Sequence, residues 1–310
     1  MISFRWLFSL IVMLMLAVIY QFPGGIDITT YESAADKVFE EWSVYYSKEI
    51  VSWGLIALAF KVLEDYDYIY SLVSISLFMW LFLAVFMKDA RSNFYLSLML
   101  VSPFGVLLSL NILRQYIAVL LFFMAVVNLV DKKYYAALLL SILSILSHNT
   151  LILFVVIVYA LSILGPKLAL VTVIAFSILV SQIVSGGTIN SEGSEVVKLI
   201  SHFMYVLGVY AFIPTISYCC RWLNLEFGDH VFKFSCLSIF ILLIFGAEIW
   251  QVNRLLVTLG FFLLLYITYN VLTRPHNFGV RFLIMCILIS YNLLALFLHS
   301  GALTMLNSPL

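Results

Sequence analysis

The chain has 310 residues, 64% of them hydrophobic and 10% charged, and its 16 basic and 16 acidic side chains cancel to a net charge of zero. Soluble domains carry about 25% charged residues, so a water-soluble enzyme is excluded, and no basic tract is present that would hold nucleic acid. The apolar runs, about 15–22 residues long, do not alternate as barrel strands would, and they predict an all-α, polytopic membrane protein.

In chain order, the first apolar run is 5–22. Arg5 ahead of it suits a signal peptide, but no small-x-small cleavage site follows Tyr20, so it reads as a retained span. Residues 23–67 form an outer-face segment. Its first part, 23–49, is the longest hydrophilic stretch and is rich in acids and aromatics. Within the segment, 50–63 ("IVSWGLIALAFKVL") is apolar but short for a span. It reads as a re-entrant or interfacial helix; the alternative is a true span, which would put the first loop in the cytoplasm. Further spans are expected at 68–87, 94–110, 111–130, 134–147, 150–164, 168–184, 198–220, 231–248, 252–272 and 281–299, about 11 in all with the first. A second outer loop, 185–197 ("SGGTINSEGSEVV"), is small and flexible by composition. No internal repeat and no linker interrupts the pattern, so 1–310 reads as a single transmembrane domain. Cys219, Cys220, Cys236 and Cys286 have neither zinc nor disulfide spacing and read as small apolar fillers.

Charge placement sets the orientation. Arg5, Lys88, Arg91, Lys132, Lys133, Lys167, Arg221, Lys233, Arg274 and Arg281 fall on alternate turns, and only Asp89, Asp131, Glu226 and Asp229 join them. That side is cytoplasmic by the positive-inside rule. The opposite face holds the remaining twelve acids and six basic residues.

On that acidic outer face, several inward-running helices begin with basic or amide groups. Asn111, Arg114 and Gln115 are spaced i, i+3, i+4 and share one helix face. His148 and Asn149 precede 150–164, while Asn253 and Arg254 open 252–272 with Glu248 one turn earlier. Lys198 and His202 begin 198–220. Helix N-termini favour anions, so these starts, if gathered, would hold a phosphate or pyrophosphate at headgroup level. Simpler readings stand beside this one. Arg114 and Arg254 could snorkel to the interface, Glu248 and Arg254 could pair with each other, and His148 could be an ordinary interfacial histidine. Trp42, Trp53 and Trp250 read as interface-belt residues rather than sugar platforms. Asp65 and Asp67 in "DYD" have the look of a metal-binding acidic pair, but i, i+2 side chains diverge on a helix, and no metal site is expected there.

"NILRQYIA", the short basic turn "DKKYY", "LSILSHNTLILF" and the later "NRLLVTLGFFLLLY" resemble the EpsG-type family of bacterial exopolysaccharide and O-antigen polymerases, from about residue 25 to 272. The most specific part is N-x-x-R-Q-x-x-A followed by His148. The sequence departs from the family at the first loop, where the usual Glu-Pro-Gly stretch reads "KEIVSWG" and Glu49 is the acid available for the match. The resemblance implies a Wzy-like, GT-C-like, lipid-dependent glycosyltransferase of the bacterial inner membrane, acting on its periplasmic face. Its substrates would be undecaprenyl-pyrophosphate-linked donor and acceptor glycans, with a chain-length regulator and a flippase as partners. In that setting Arg114 and Arg254 are placed on the pyrophosphate, with Asn111 and Gln115 orienting its oxygens or Arg114. Asn149, Asn253 and Glu248 line the site. His148, then Glu49, then Asp27 are the candidates for the base. No cofactor and no metal is expected.

An O-antigen ligase shares the donor and leaving group and differs only in its acceptor. A transporter or flippase of the same lipid-linked glycan would set its charges deeper and repeat its halves. A membrane acyltransferase would need a site for an activated acyl donor on the inner face.

Overall fold

The computed structural model describes residues 49–62, 74–75, 78–79, 81–83, 113–184, 218–245, 249–273, 279 and 286. Every described element is helical, as the composition predicts, and three helices are long and apolar enough to cross a membrane. The chain divides into two compact units, Met1–Asn149 with Thr268–Leu310, and Thr150–Ile267. Spans expected at 5–22 and 94–110, all of 281–299 but position 286, and the loops 23–48 and 185–197, lie outside the described residues.

The first unit is built around α1 (Ile50–Val62), α2 (Leu113–Val130) and α3 (Tyr134–Ser147). All 18 residues of α2 except Arg114 and Val130 are buried. A helix that is apolar on every side belongs in the middle of a bundle, and α2 occupies that place against α1 and α3. The turn between α2 and α3 closes by backbone bonding: Lys133 N–H donates to Asn128 O at 2.8 Å and Lys132 N–H to Leu129 O at 3.1 Å. This is the two-bond cap that follows a left-handed residue, here Lys132 at φ 60°. The same cap ends the helix before Asn224, where Leu225 N–H reaches Cys220 O at 2.8 Å.

The buried stripe of α3 is Ala137, Leu140, Ser141, Ser144 and Ser147, mostly small residues that let α2 approach. Ser144 Oγ donates to Ala118 O of α2 at 2.8 Å. Leu138, Leu139 and Ile142 face outward. An apolar outer surface over a polar-laced inner seam is what a lipid solvent selects. The helix predicted over 134–147 matches α3.

α1 is 13 residues long, about 20 Å at 1.5 Å per residue, short of a roughly 30 Å hydrocarbon core. Residues 50–63, expected as a re-entrant or interfacial helix, are helical over Ile50–Val62. Its buried face is Ser52, Trp53, Ile56 and Ala57.

In the second unit α4 (Leu151–Val184) packs on α5 (Glu226–Ile244), and α6 (Ile249–Thr273) begins here and ends in the first unit. α4 is two helices: Gly165 sits at φ 71°, ψ 170°, just before Pro166. This break falls between the predicted spans 150–164 and 168–184. α5 starts and ends four to five residues earlier than the predicted 231–248, because Glu226 and Asp229 favour its positive N-terminal end. Asp229 is buried and paired to Lys233 one turn on, with Arg221 Nε 3.8 Å away. The missing side chain of Gly228 makes room for Tyr266 of α6, whose ring would lie 3.0 Å from an added Cβ. Cys219 and Cys220 are buried free thiols, consistent with their reading as fillers.

The backbone at Gly165 lies in a region that only glycine enters without strain. Gly165→Ala meets no neighbouring atom, so its whole cost is backbone strain. We expect a loss of about 1–3 kcal/mol, read as a lower melting temperature of the detergent-solubilised protein. Unchanged melting would mean that the break relaxes into a conformation alanine accepts.

A buried carboxylate shared by an arginine and a histidine

The site is assembled by the ends of three elements in the first unit. Glu49 immediately precedes α1, where its carbonyl accepts from Trp53 N–H at 3.1 Å. Arg114 is the second residue of α2. His148 closes α3 in an extended conformation, φ −157°, ψ 117°, with its N–H on Ser144 O. Helix ends present backbone groups that helices cannot satisfy internally, so polar side chains collect there without disturbing the apolar middles.

Glu49 is 5% exposed and lies at the centre. One carboxylate oxygen accepts from Arg114 Nη1 and the other from His148 Nδ1. The backbone N–H of Asn149 reaches the latter oxygen at 3.4 Å. Ser52 Oγ donates to Ser147 O at 2.6 Å and so pins α1 to the residue before His148. The Trp53 ring lies under the Arg114 guanidinium, 4.7 Å from ring centroid to Cζ. Such a contact contributes about 1–2 kcal/mol when shielded from water.

Burial pushes the Glu49 carboxyl up. The hydrogen bond and charge of His148, the charge of Arg114 and the Asn149 N–H outweigh burial and hold it below its ordinary value. A carboxylate kept ionised this way is a weak base and a strong orienting group. It holds a ring proton on Nδ1, so that in the neutral form of His148 the basic lone pair lies on Nε2. The cluster can therefore hold an imidazole as proton acceptor beside a guanidinium that binds anions.

Of the residues singled out from sequence, Glu49, Arg114, His148 and Asn149 come together here. Gln115 is fully buried next to Arg114, and neither amide atom has a hydrogen-bond partner among the described residues. Asn253 and Arg254 lie in the second turn of α6, and their side chains fall outside the described residues, as do Asn111, Asp27, Glu248, Asp65 and Asp67. Trp53 corrects the belt reading: it is 2% exposed and covers Arg114 instead of facing lipid. Ser52 was not singled out. Both follow Glu49 at i+3 and i+4, the same-face spacing that identified the Asn111 group, and that spacing was the available signal.

The family model described as the EpsG family matches residues 6–309. No curated protein and no solved structure matches the chain.

A carboxyl whose folded pKa is lowered contributes stability that is complete above its ordinary pKa, here 4.5, and is lost as pH falls through the lower folded value. The melting temperature of the solubilised protein should hold from neutral pH down to about 4.5 and fall below it. Glu49→Ala leaves Arg114 without its carboxylate and should cost about 3–5 kcal/mol at neutral pH. It should also flatten the acid fall; an acid profile like the wild type's would assign that fall to another group.

Proposed function

The chain belongs to the EpsG family, and on that premise we propose that it is a polysaccharide polymerase of the bacterial inner membrane. It joins glycan repeat units carried on undecaprenyl pyrophosphate at the periplasmic face. In this reading the chain crosses the membrane about 11 times in a GT-C-like arrangement, with α1 as the re-entrant or interfacial helix of that face. The observation that carries the proposal is the buried Glu49–Arg114–His148 cluster. Its chemistry suits a reaction that removes a proton and expels a diphosphate.

His148 takes the proton of the acceptor hydroxyl on Nε2, with Glu49 holding the ring and stabilising the imidazolium. The acceptor oxygen attacks the anomeric carbon of the sugar at the reducing end of the donor chain. The bond from that carbon to the diphosphate oxygen breaks, and undecaprenyl pyrophosphate leaves with the bonding electrons. Arg114 receives the growing negative charge; a guanidinium fork matches phosphate oxygens on more than one edge. Asn149, Asn111 and Gln115 orient the oxygens around it. A flippase delivers the lipid-linked unit and a chain-length regulator limits the product. No metal or cofactor takes part.

Two substitutions test this reading. Arg114→Ala should abolish the polymer ladder while immunoblots still find the protein in the membrane. Arg114→Lys should restore little, since an ammonium lacks the fork. A normal ladder from Arg114→Ala would remove Arg114 from the mechanism. Gln115→Leu replaces an amide that has no hydrogen-bond partner among the described residues by an apolar group of similar size, which relieves a burial cost of about 1–3 kcal/mol. That variant should melt no lower than the wild type and polymerise poorly. Full activity would make Gln115 a passive core residue.

A further inference from the structure

The geometry points to Trp53 as a positioning residue that fixes the plane of the Arg114 guanidinium for the departing diphosphate. The inference rests on the glycosyl-transfer reading and adds to it a residue that does not touch substrate.

Arginine reaches the site on a long side chain with several rotatable bonds. Its contact with Glu49 fixes a distance between one nitrogen and one oxygen, which leaves the guanidinium plane unset. The Trp53 ring adds a constraint on that plane. With Cζ 4.7 Å from the ring centroid, the cation lies over the indole face, where the ring quadrupole attracts it and the ring excludes water from that side.

The indole is itself held. It is 2% exposed, it sits one residue after Ser52, and Ser52 Oγ ties that turn of α1 to Ser147 O at 2.6 Å. Glu49 and the first turn of α1 that follows it therefore supply the carboxylate that pairs with Arg114, the hydroxyl that locates His148, and the ring that orients Arg114. This also accounts for arginine at position 114. A planar cation can lie flat on an aromatic face and still direct its donors outward, which an ammonium cannot do.

The test uses purified full-length protein with lipid-linked repeat units extracted from a strain that lacks it. Trp53→Phe keeps a weaker aromatic face and Trp53→Leu keeps an apolar side chain without one. Trp53→Leu should lower kcat roughly 10-fold with KM little changed, and Trp53→Phe should fall between. If Trp53→Leu fails to accumulate, site-specific fluorinated tryptophans at position 53 preserve shape while draining the ring of charge. A stepwise fall of kcat with fluorine number supports the assignment, and a flat series overturns it. Trp53→Leu as active as the wild type while Arg114→Ala is dead overturns the role of Trp53 and leaves the polymerase reading standing. An active Arg114→Ala overturns both.

Discussion

A single carboxylate removed from water, answering both a guanidinium and an imidazole, is the constraint around which the first unit is arranged. Burying an ion is expensive unless charge and hydrogen bonds replace the lost hydration. Glu49 meets that condition only when the start of α1, the start of α2 and the end of α3 arrive at one point. The cluster thus couples three helix ends, alongside the Ser52–Ser147 and Ser144–Ala118 hydrogen bonds. Removing Glu49 takes from Arg114 and His148 the carboxylate they share.

The helices that deliver these ends are shaped for a solvent without water. α2 is surrounded by protein, and small residues on α3 let the two axes approach, with Ser144 bonded to the Ala118 carbonyl. Apolar side chains such as Leu138, Leu139 and Ile142 are left on the outside. Between helices in lipid there is no hydrophobic drive to association, so close packing and occasional polar contacts carry it. Rigid middles with polar ends suit a cluster whose charged groups must stay in place.

Hydropathy and charge made much of this architecture legible. The length of α3, the shortness of α1 and the break between the two halves of α4 were readable because apolar run length, Lys167 and the Gly165–Pro166 pair are local signals. The start of α5 was misplaced, since the polar residues Glu226 to Asp229 read as loop until the helix dipole and the Lys233 partner are considered. Arg114 and His148 were visible as polar groups at helix starts. Their meeting on Glu49 was not, because contacts spanning 65 and 99 residues leave no mark in composition. Trp53 was misread for the same reason: an aromatic beside an acid resembles an interface anchor until the guanidinium that covers it is in view.

The order of the partners along the chain bears on how the protein is made. A charged arginine is costly to hand to a bilayer, and α2 carries one at its leading end. Glu49 lies 65 residues upstream, so its carboxylate has already left the ribosome when Arg114 emerges. In the folded first unit that counter-ion, made before the cation it answers, offsets the cost of the first unit's most hazardous residue.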